Sequence, residues 1–166
     1  MSMNYHGIHH VTLVCNDMEE TTEFYTKVLG AKLVKRTVNF DDPATRHFYF
    51  GDEKGTPGSV LTFFEYKEAH PARVGYGGVH HIAFIAENEK EQLEMREKLL
   101  ANGVEVTPVI ERKYFKSIYF RDPDGMLLEI ATKGPGFFVD EEELGSNFFD
   151  GPAEQKQGAE KKSGTK

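Results

Sequence analysis

The hexapeptide Gly-Ile-His-His-Val-Thr at residues 7–12 recurs as Gly-Val-His-His-Ile-Ala at residues 78–83, an offset of 71 residues. Farther along, Phe-Tyr-Phe-Gly-Asp at residues 48–52 is matched by Ile-Tyr-Phe-Arg-Asp at residues 118–122, an offset of 70. A third pair of segments follows in the same order, at residues 58–62 and 125–129. Matched blocks in a constant order indicate that the chain contains a duplicated module.

Each copy predicts the same order of elements, β-α-β-β-β. Asp17, followed three residues later by Glu20, is typical of a helix start, and Gly30 of a helix end. A second helix is expected to begin near Asn88, to carry Leu93 and Leu100, and to end at residues 102–103. The predicted strands are residues 11–15, 32–40, 47–50 and 60–64 in the first copy, and 82–86, 104–110, 117–121 and 126–132 in the second. We therefore expect an α+β fold, with two βαβββ modules forming one curved mixed sheet.

The repeat also predicts how the chain is divided. We expect a single domain over residues 1–150, with module one at 5–66, a linker at 67–77 and module two at 78–148. The tail at residues 151–166 is rich in Gly, Gln and Lys and is predicted to be disordered.

Composition excludes several classes of function. The 166 residues carry a net charge of −7, which argues against a nucleic-acid partner, because such proteins need a basic surface. We find neither a signal peptide nor an apolar run near the ~20 residues of a membrane helix, so no membrane partner is expected. Cys15 is the only cysteine, which excludes an intrachain disulfide and favours the reducing cytoplasm.

Three residues of the repeat have the chemistry of metal ligands. His10 and His81 occupy equivalent positions, and Glu129 stands where the first copy has Thr62. If the modules pair pseudo-symmetrically, the two imidazoles and the carboxylate converge on the concave face of the sheet. Two His and one carboxylate with open positions are typical of non-haem Fe(II) oxygenases. The alternative is a relative of the same fold that binds no metal.

The sequence resembles the vicinal oxygen chelate superfamily, which contains glyoxalases, fosfomycin-resistance proteins and extradiol dioxygenases. Residues 118–129 resemble the extradiol signature, in which an aliphatic residue and a Tyr lead through Asp-Pro and Gly to a ligand Glu. Further blocks are similar to the hydroquinone-type ring-cleaving dioxygenases, namely residues 34–40, 51–64, 114–119 and 129–132. The resemblance covers residues 7–148, and the chain looks like the first module of longer relatives joined to their last.

This resemblance implies a dioxygenase that degrades aromatic compounds, opening a hydroquinone or catechol ring with O2. It implies a metal site of Fe(II), or alternatively Mn(II), held by His10, His81 and Glu129. The residues expected around the substrate are Tyr119, Arg112 and His9 in catalysis and Thr12 and His80 in binding. Arg112 stands where the general extradiol signature has His, and it favours the hydroquinone subgroup.

Some assignments stay open at this point. Tyr119 could instead be a core tyrosine like its counterpart Tyr49, and Arg112 a surface residue. His9 and His80 reach the pocket only through a β-bulge or from a neighbouring sheet, because neighbouring strand residues point to opposite faces. His6, His47 and His70 are expected at the surface.

Two further functions share these features. One is a metal-dependent lyase or transferase of the glyoxalase or fosfomycin-resistance kind, and the other is a metal-free small-molecule binding protein. Because the longer relatives contain additional modules, we expect this chain to form a homodimer. The metal site is then either within one chain or shared between two.

Overall fold

The predicted order of elements occurs twice in the computed structural model, which describes residues 4–146. Module one consists of β1 (His10–Cys15), α1 (Met18–Glu23), a π-helical turn (Phe24–Val28), β2 (Lys32–Val38), β3 (Arg46–Gly51) and β4 (Val60–Glu65). Module two consists of β5 (Ile82–Ala86), α2 (Glu89–Ala101), β6 (Ile110–Glu111), β7 (Lys116–Arg121) and β8 (Leu127–Thr132), followed by a 3-10 turn (Phe137–Val139). The α+β fold with two βαβββ modules is confirmed.

Each module forms its own four-stranded mixed sheet. The strand orders are β1-β4-β3-β2 and β5-β8-β7-β6, with the first and last strands of each module parallel and the other pairs antiparallel. The eight strands therefore form two hydrogen-bonded sheets, where the sequence suggested one curved mixed sheet. The reason is that contacts of side chains from module one, rather than backbone hydrogen bonds between strands, join the two modules.

Tyr25, in the π-helical turn, makes the central contact between the modules. Its ring is buried against Phe50 and Phe63 of module one, and its hydroxyl donates to Asp122 Oδ2 of module two at 3.0 Å. Burial, with the nearby carboxylate, raises the pKa of the Tyr25 phenol well above its usual value, so the phenol keeps its proton. Phe24 contacts Phe120 across the same junction.

Both helices begin at the predicted caps. Asp17 Oδ1 accepts from the backbone N–H groups of Glu19 and Glu20 at 2.8 and 3.0 Å, and Asn88 Oδ1 accepts from that of Glu91 at 3.0 Å. The apolar face predicted for the second helix is wrong, because Leu93 and Leu100 are exposed.

The face of α2 that packs on its sheet lies one residue earlier than predicted and contains Gln92 and Leu99 in place of Leu93 and Leu100. The Gln92 amide donates to the backbone oxygens of Lys116 and Ile130 at 2.8 and 2.7 Å. A polar residue can therefore occupy this buried position, since two carbonyl groups take its protons.

The strand predicted at residues 104–110 is reduced to the two-residue β6. Thr107 still runs beside β7: its N–H donates to Tyr119 O, and its side-chain oxygen accepts from Tyr119 N–H, both at 3.0 Å. Regular backbone pairing with β7 stops here for two reasons. The Thr107 side chain, rather than its carbonyl group, accepts the hydrogen bond from the neighbouring strand, and Pro108 has no N–H to donate.

The predicted domain and module boundaries stay predictions. The tail at residues 151–166 and the end of module two lie outside the residues that the structure describes. Within the described part of the chain, the helices are too short and too polar to cross a membrane.

We predict that the junction depends on the Tyr25 hydroxyl. Tyr25→Phe removes a buried donor from the Asp122 carboxylate and should lower the free energy of unfolding by about 1–3 kcal/mol, measured by urea denaturation. The matched control is Tyr66→Phe, whose hydroxyl accepts an exposed 3.3 Å hydrogen bond from Asn39 and whose loss should cost less than about 0.5 kcal/mol. Equal losses in the two variants would contradict the prediction.

Candidate active site

Glu129, in the middle of β8, forms the best-defined part of the site. Its side chain is almost fully buried, and its backbone pairs with Ala83 of β5 on one side and Tyr119 of β7 on the other. The His81 Nε2 atom lies 2.9 Å from Glu129 Oε2, and the Ser117 hydroxyl donates to Oε1. An imidazole beside a buried carboxylate is a donor set that fits a divalent transition metal.

The four histidines of the repeat form two similar pairs. Nδ1 of His9 lies 2.9 Å from Nδ1 of His10, and Nδ1 of His80 lies 2.8 Å from Nδ1 of His81, with the rings of each pair edge-on at 5.1 Å. His9 and His80 can make these contacts because both precede the regular strands. In each pair the contact uses Nδ1 of the second histidine and leaves its Nε2 facing away from the pair, the arrangement in which an outer group orients a metal ligand.

Tyr119 and Arg112 form a second group beside this pair. Arg112 Nη2 donates to the Tyr119 hydroxyl oxygen at 3.3 Å, and the guanidinium carbon lies 5.4 Å from the centre of the Tyr119 ring. The His81 ring is edge-on to Tyr119 at 6.0 Å. The structure therefore brings four predicted site residues together on one wall, namely Arg112, Tyr119, His81 and Glu129.

Within one chain, the ligand atoms of His10, His81 and Glu129 do not all lie within 4.8 Å of one another. Among residues 4–146, the one group of three His, Cys, Asp or Glu side chains with ligand atoms within 4.8 Å of one another is Asp17, Glu19 and Glu65. That group is structural, because Arg46 forms ion pairs with both glutamates and Asp17 caps α1. The predicted ligand set of His10, His81 and Glu129 is thus divided between the modules and stays a prediction.

The sequence matches a family model along most of its length. Residues 7–130 match the family described as the Glyoxalase/Bleomycin resistance protein/Dioxygenase superfamily. The chain belongs to this superfamily.

Two relatives show which branch of the superfamily the chain is similar to. The chain is 41% identical over 130 residues to MhqO of Bacillus subtilis (strain 168), which is named provisionally as a ring-cleaving dioxygenase. It is 29% identical over 155 residues to the chlorohydroquinone/hydroquinone 1,2-dioxygenase of Sphingobium indicum. These matches cover 78% and 91% of this chain but only 41% and 46% of the relatives, so the chain spans less than half of their length.

Solved structures give the same picture of the fold. A crystal structure from Bacillus subtilis, described provisionally as that of a dioxygenase, is 40% identical with a TM-score of 0.72, covering 79% of this chain and 42% of that one. The fosfomycin resistance protein FosX from Listeria monocytogenes is 26% identical with a TM-score of 0.61, covering 79% of this chain and 95% of that one.

Module one of this superfamily member contains a polar cluster that the sequence did not reveal. His47 is expected at the surface, but it is only 9% exposed, because its ring packs against those of Tyr49 and Phe64. The repeat contained the signal: an offset of 70 places His47 at the position of Ser117, which contacts Glu129. His6 and His70 are exposed, as expected.

Thr12 belongs to this cluster in module one. The Thr62 hydroxyl donates to Thr12 Oγ1 at 2.9 Å. Thr12, the predicted substrate-binding residue, is therefore held by Thr62, which is the counterpart of Glu129 in the repeat.

We predict that metal retention needs all three proposed ligands. Replacement of His10, His81 or Glu129 by Ala should each reduce bound iron to near zero after loading with Fe(II), because two ligands hold a labile metal poorly. Elemental analysis measures the metal content, and circular dichroism checks the fold. The control is His70→Ala, an exposed histidine outside the site. A variant that keeps stoichiometric iron removes that residue from the ligand set.

Proposed function

We propose that the chain is an Fe(II)-dependent ring-cleaving dioxygenase that opens a hydroquinone or catechol ring with O2. The observation that carries the proposal is the wall on which Arg112, Tyr119, His81 and Glu129 meet. It combines a metal-binding pair with a cation and a phenol, the groups needed to hold an ionised aromatic diol beside a metal. The similarity to proteins named as ring-cleaving and hydroquinone dioxygenases supports the same reaction.

His81 and Glu129 of one module would hold the metal together with His10 of the other. Bound Fe(II) would supply the redox chemistry by which O2 and the aromatic ring react. With one carboxylate and two imidazoles as ligands, coordination positions stay open for small molecules. The outer histidines, His9 and His80, would orient the ligand rings through their Nδ1 contacts.

Arg112 and Tyr119 would manage the charge and protons of the substrate. The guanidinium group stays positively charged and stabilises an ionised phenol oxygen. Because the Tyr119 oxygen accepts from Arg112, the Tyr119 hydroxyl proton is directed elsewhere and is available to a substrate oxygen. Tyr119 is thus a candidate general acid, within reach because it lies opposite Glu129 across adjacent strands.

Oxygen consumption tests the proposed reaction. Protein loaded anaerobically with Fe(II) is mixed with hydroquinone or catechol, and oxygen uptake is followed together with the loss of the aromatic absorbance. We expect uptake of one O2 for each ring opened, and none with Glu129→Ala. Protein that binds stoichiometric iron but consumes no oxygen with either diol would refute the reaction.

A metal-dependent lyase or transferase is the second candidate, and the similarity of the fold to FosX, a protein named for fosfomycin resistance, favours it. Loss of fosfomycin in the same metal-loaded preparation, without oxygen uptake, would support this candidate. Protein that binds no metal would instead favour the binding function. The cytoplasmic location stays a prediction.

We also propose that a second copy of the chain completes each metal site. Within one chain, His10 does not form a group with His81 and Glu129 in which all ligand atoms lie within 4.8 Å of one another, which supports this proposal. The strands that lead away from His10 and His81 expose apolar side chains on the same face, with Val14 50% and Ile85 72% exposed. A two-fold dimer in which module one faces the partner's module two would cover these residues and supply His10 to the opposite wall.

Complementation between inactive variants tests the shared site. Chains with His10→Ala and chains with Glu129→Ala are co-expressed with different tags, and the mixed dimers are purified. Each mixed dimer should regain one intact site. About a quarter of wild-type activity and iron is expected in the unsorted mixture, since about half of random dimers are mixed.

The matched control pairs His81→Ala with Glu129→Ala. Both changes lie in module two, so every site in the mixed dimer keeps one defect and nothing should be recovered. Mixed dimers of the first kind that bind no iron would place all three ligands in one chain. A monomer by light scattering would refute the dimer.

A further inference from the structure

Four side chains of module one form a continuous series of hydrogen bonds that the reaction described above does not use. Nδ1 of His47 lies 3.2 Å from the Tyr49 hydroxyl, and its Nε2 lies 2.9 Å from Thr62 Oγ1. The Thr62 hydroxyl in turn donates to Thr12 Oγ1 at 2.9 Å. The series runs from the buried strands β3 and β4 to the exposed side of β1, where it ends at Thr12.

The surroundings of the imidazole in this series favour its neutral form. The rings of Tyr49 and Phe64 lie 4.3 and 4.2 Å from that of His47, which is almost fully buried. Burial lowers the pKa of His47, and the nearby His10 adds to the effect. A neutral imidazole has one donor and one acceptor nitrogen, so its two hydrogen bonds must run in opposite senses.

The direction of the series follows from its Tyr49 end. A phenol donates a hydrogen bond more readily than it accepts one, so the Tyr49 hydroxyl donates to Nδ1 of His47. Nε2 of the neutral ring then carries the proton and donates to Thr62 Oγ1. The Thr62 hydroxyl proton is left for Thr12, in agreement with the contact between the two hydroxyls. Because Thr12 accepts within the protein, its own hydroxyl proton is directed to the open side of the sheet.

The duplicated module contains the same arrangement at equivalent positions. His47 and Ser117 are related by the repeat, as are Thr62 and Glu129. In module two the Ser117 hydroxyl donates to Glu129, just as the imidazole of His47 contacts Thr62 in module one. In both modules, therefore, a polar residue on the third strand orients the central residue of the last strand.

We propose that His47 is a positioning residue that acts through Thr62 to make the Thr12 hydroxyl a hydrogen-bond donor to an oxygen of the aromatic substrate. The identity of the substrate rests on the proposed function. The direction of the hydrogen bonds does not, because it follows from the contacts of the protein alone. Thr12 fixed as a donor favours a substrate oxygen that accepts, such as an ionised phenol.

Nitrogen NMR of the histidine side chains tests the direction without any activity. Metal-free protein labelled with ¹⁵N-histidine is examined at neutral pH, and the His47 signals are assigned by their loss in His47→Gln. We expect a neutral ring with the proton on Nε2. A ring protonated on Nδ1, or on both nitrogens, would overturn the proposal.

Two pairs of variants test the effect on substrate. In the first pair, Thr62→Val removes the hydroxyl and Thr62→Ser keeps it. In the second pair, His47→Phe removes the donor and His47→Gln keeps an N–H near the position of Nε2. Thr62→Val and His47→Phe should raise the KM for hydroquinone, and its dissociation constant in anaerobic calorimetry, by about three- to tenfold with little change in kcat. Thr62→Ser and His47→Gln should restore values near those of the wild type.

The results separate this inference from the proposed function. The inference is overturned if Thr62→Val binds hydroquinone with wild-type affinity. It is also overturned if Thr62→Val and Thr62→Ser lose affinity equally and lose thermal stability equally, because the series then has only a structural role. Wild-type protein that neither binds nor turns over hydroquinone or catechol would refute the proposed function and with it the assignment of the substrate. The NMR result decides the direction of the hydrogen bonds in either case.

Discussion

Parallel pairing of the first and last strands is the constraint on which both modules depend. A parallel pair cannot be joined by a tight turn, so the helix and the two intervening strands of each module form the connection. The pairing also fixes the register: Thr12 lies opposite Thr62, and Ala83 opposite Glu129. His81, two residues before Ala83, thereby meets Glu129 at the centre of the last strand of module two. His10 stands two residues before Thr12 in module one.

Features that are local or repeated in the sequence could be predicted. Caps such as Asp17 depend on the residues next to them, and the pairing of Tyr119 with Glu129 follows from the short Asp-Pro-Asp-Gly turn between them. The equivalence of His10 and His81 is visible in the repeat itself. In each case the position of a residue is set by neighbours within a few residues or by comparison with the other copy.

Features that depend on contacts between distant residues could not be predicted. Gln92 is buried because two backbone carbonyls from other strands accept its amide protons, and periodicity favoured Leu93 instead. His47 is buried because aromatic rings surround it, although its residue type favoured the surface. The division of His10 from His81 and Glu129 is a property of the way in which whole modules pack, and no motif reports it.

The two modules have kept one architecture but differ in charge. The centre of the last strand is a carboxylate in module two and a hydroxyl in module one, and each is oriented by the equivalent residue of the third strand. In the proposed site between unlike modules, one carboxylate and two imidazoles would hold the metal, and Thr62 would stand at the position equivalent to that carboxylate. A threonine hydroxyl is a weak ligand for such a metal, so this position would stay available to substrate or O2. The Thr62 hydroxyl contacts Thr12 instead, and through Thr12 it would act on the substrate.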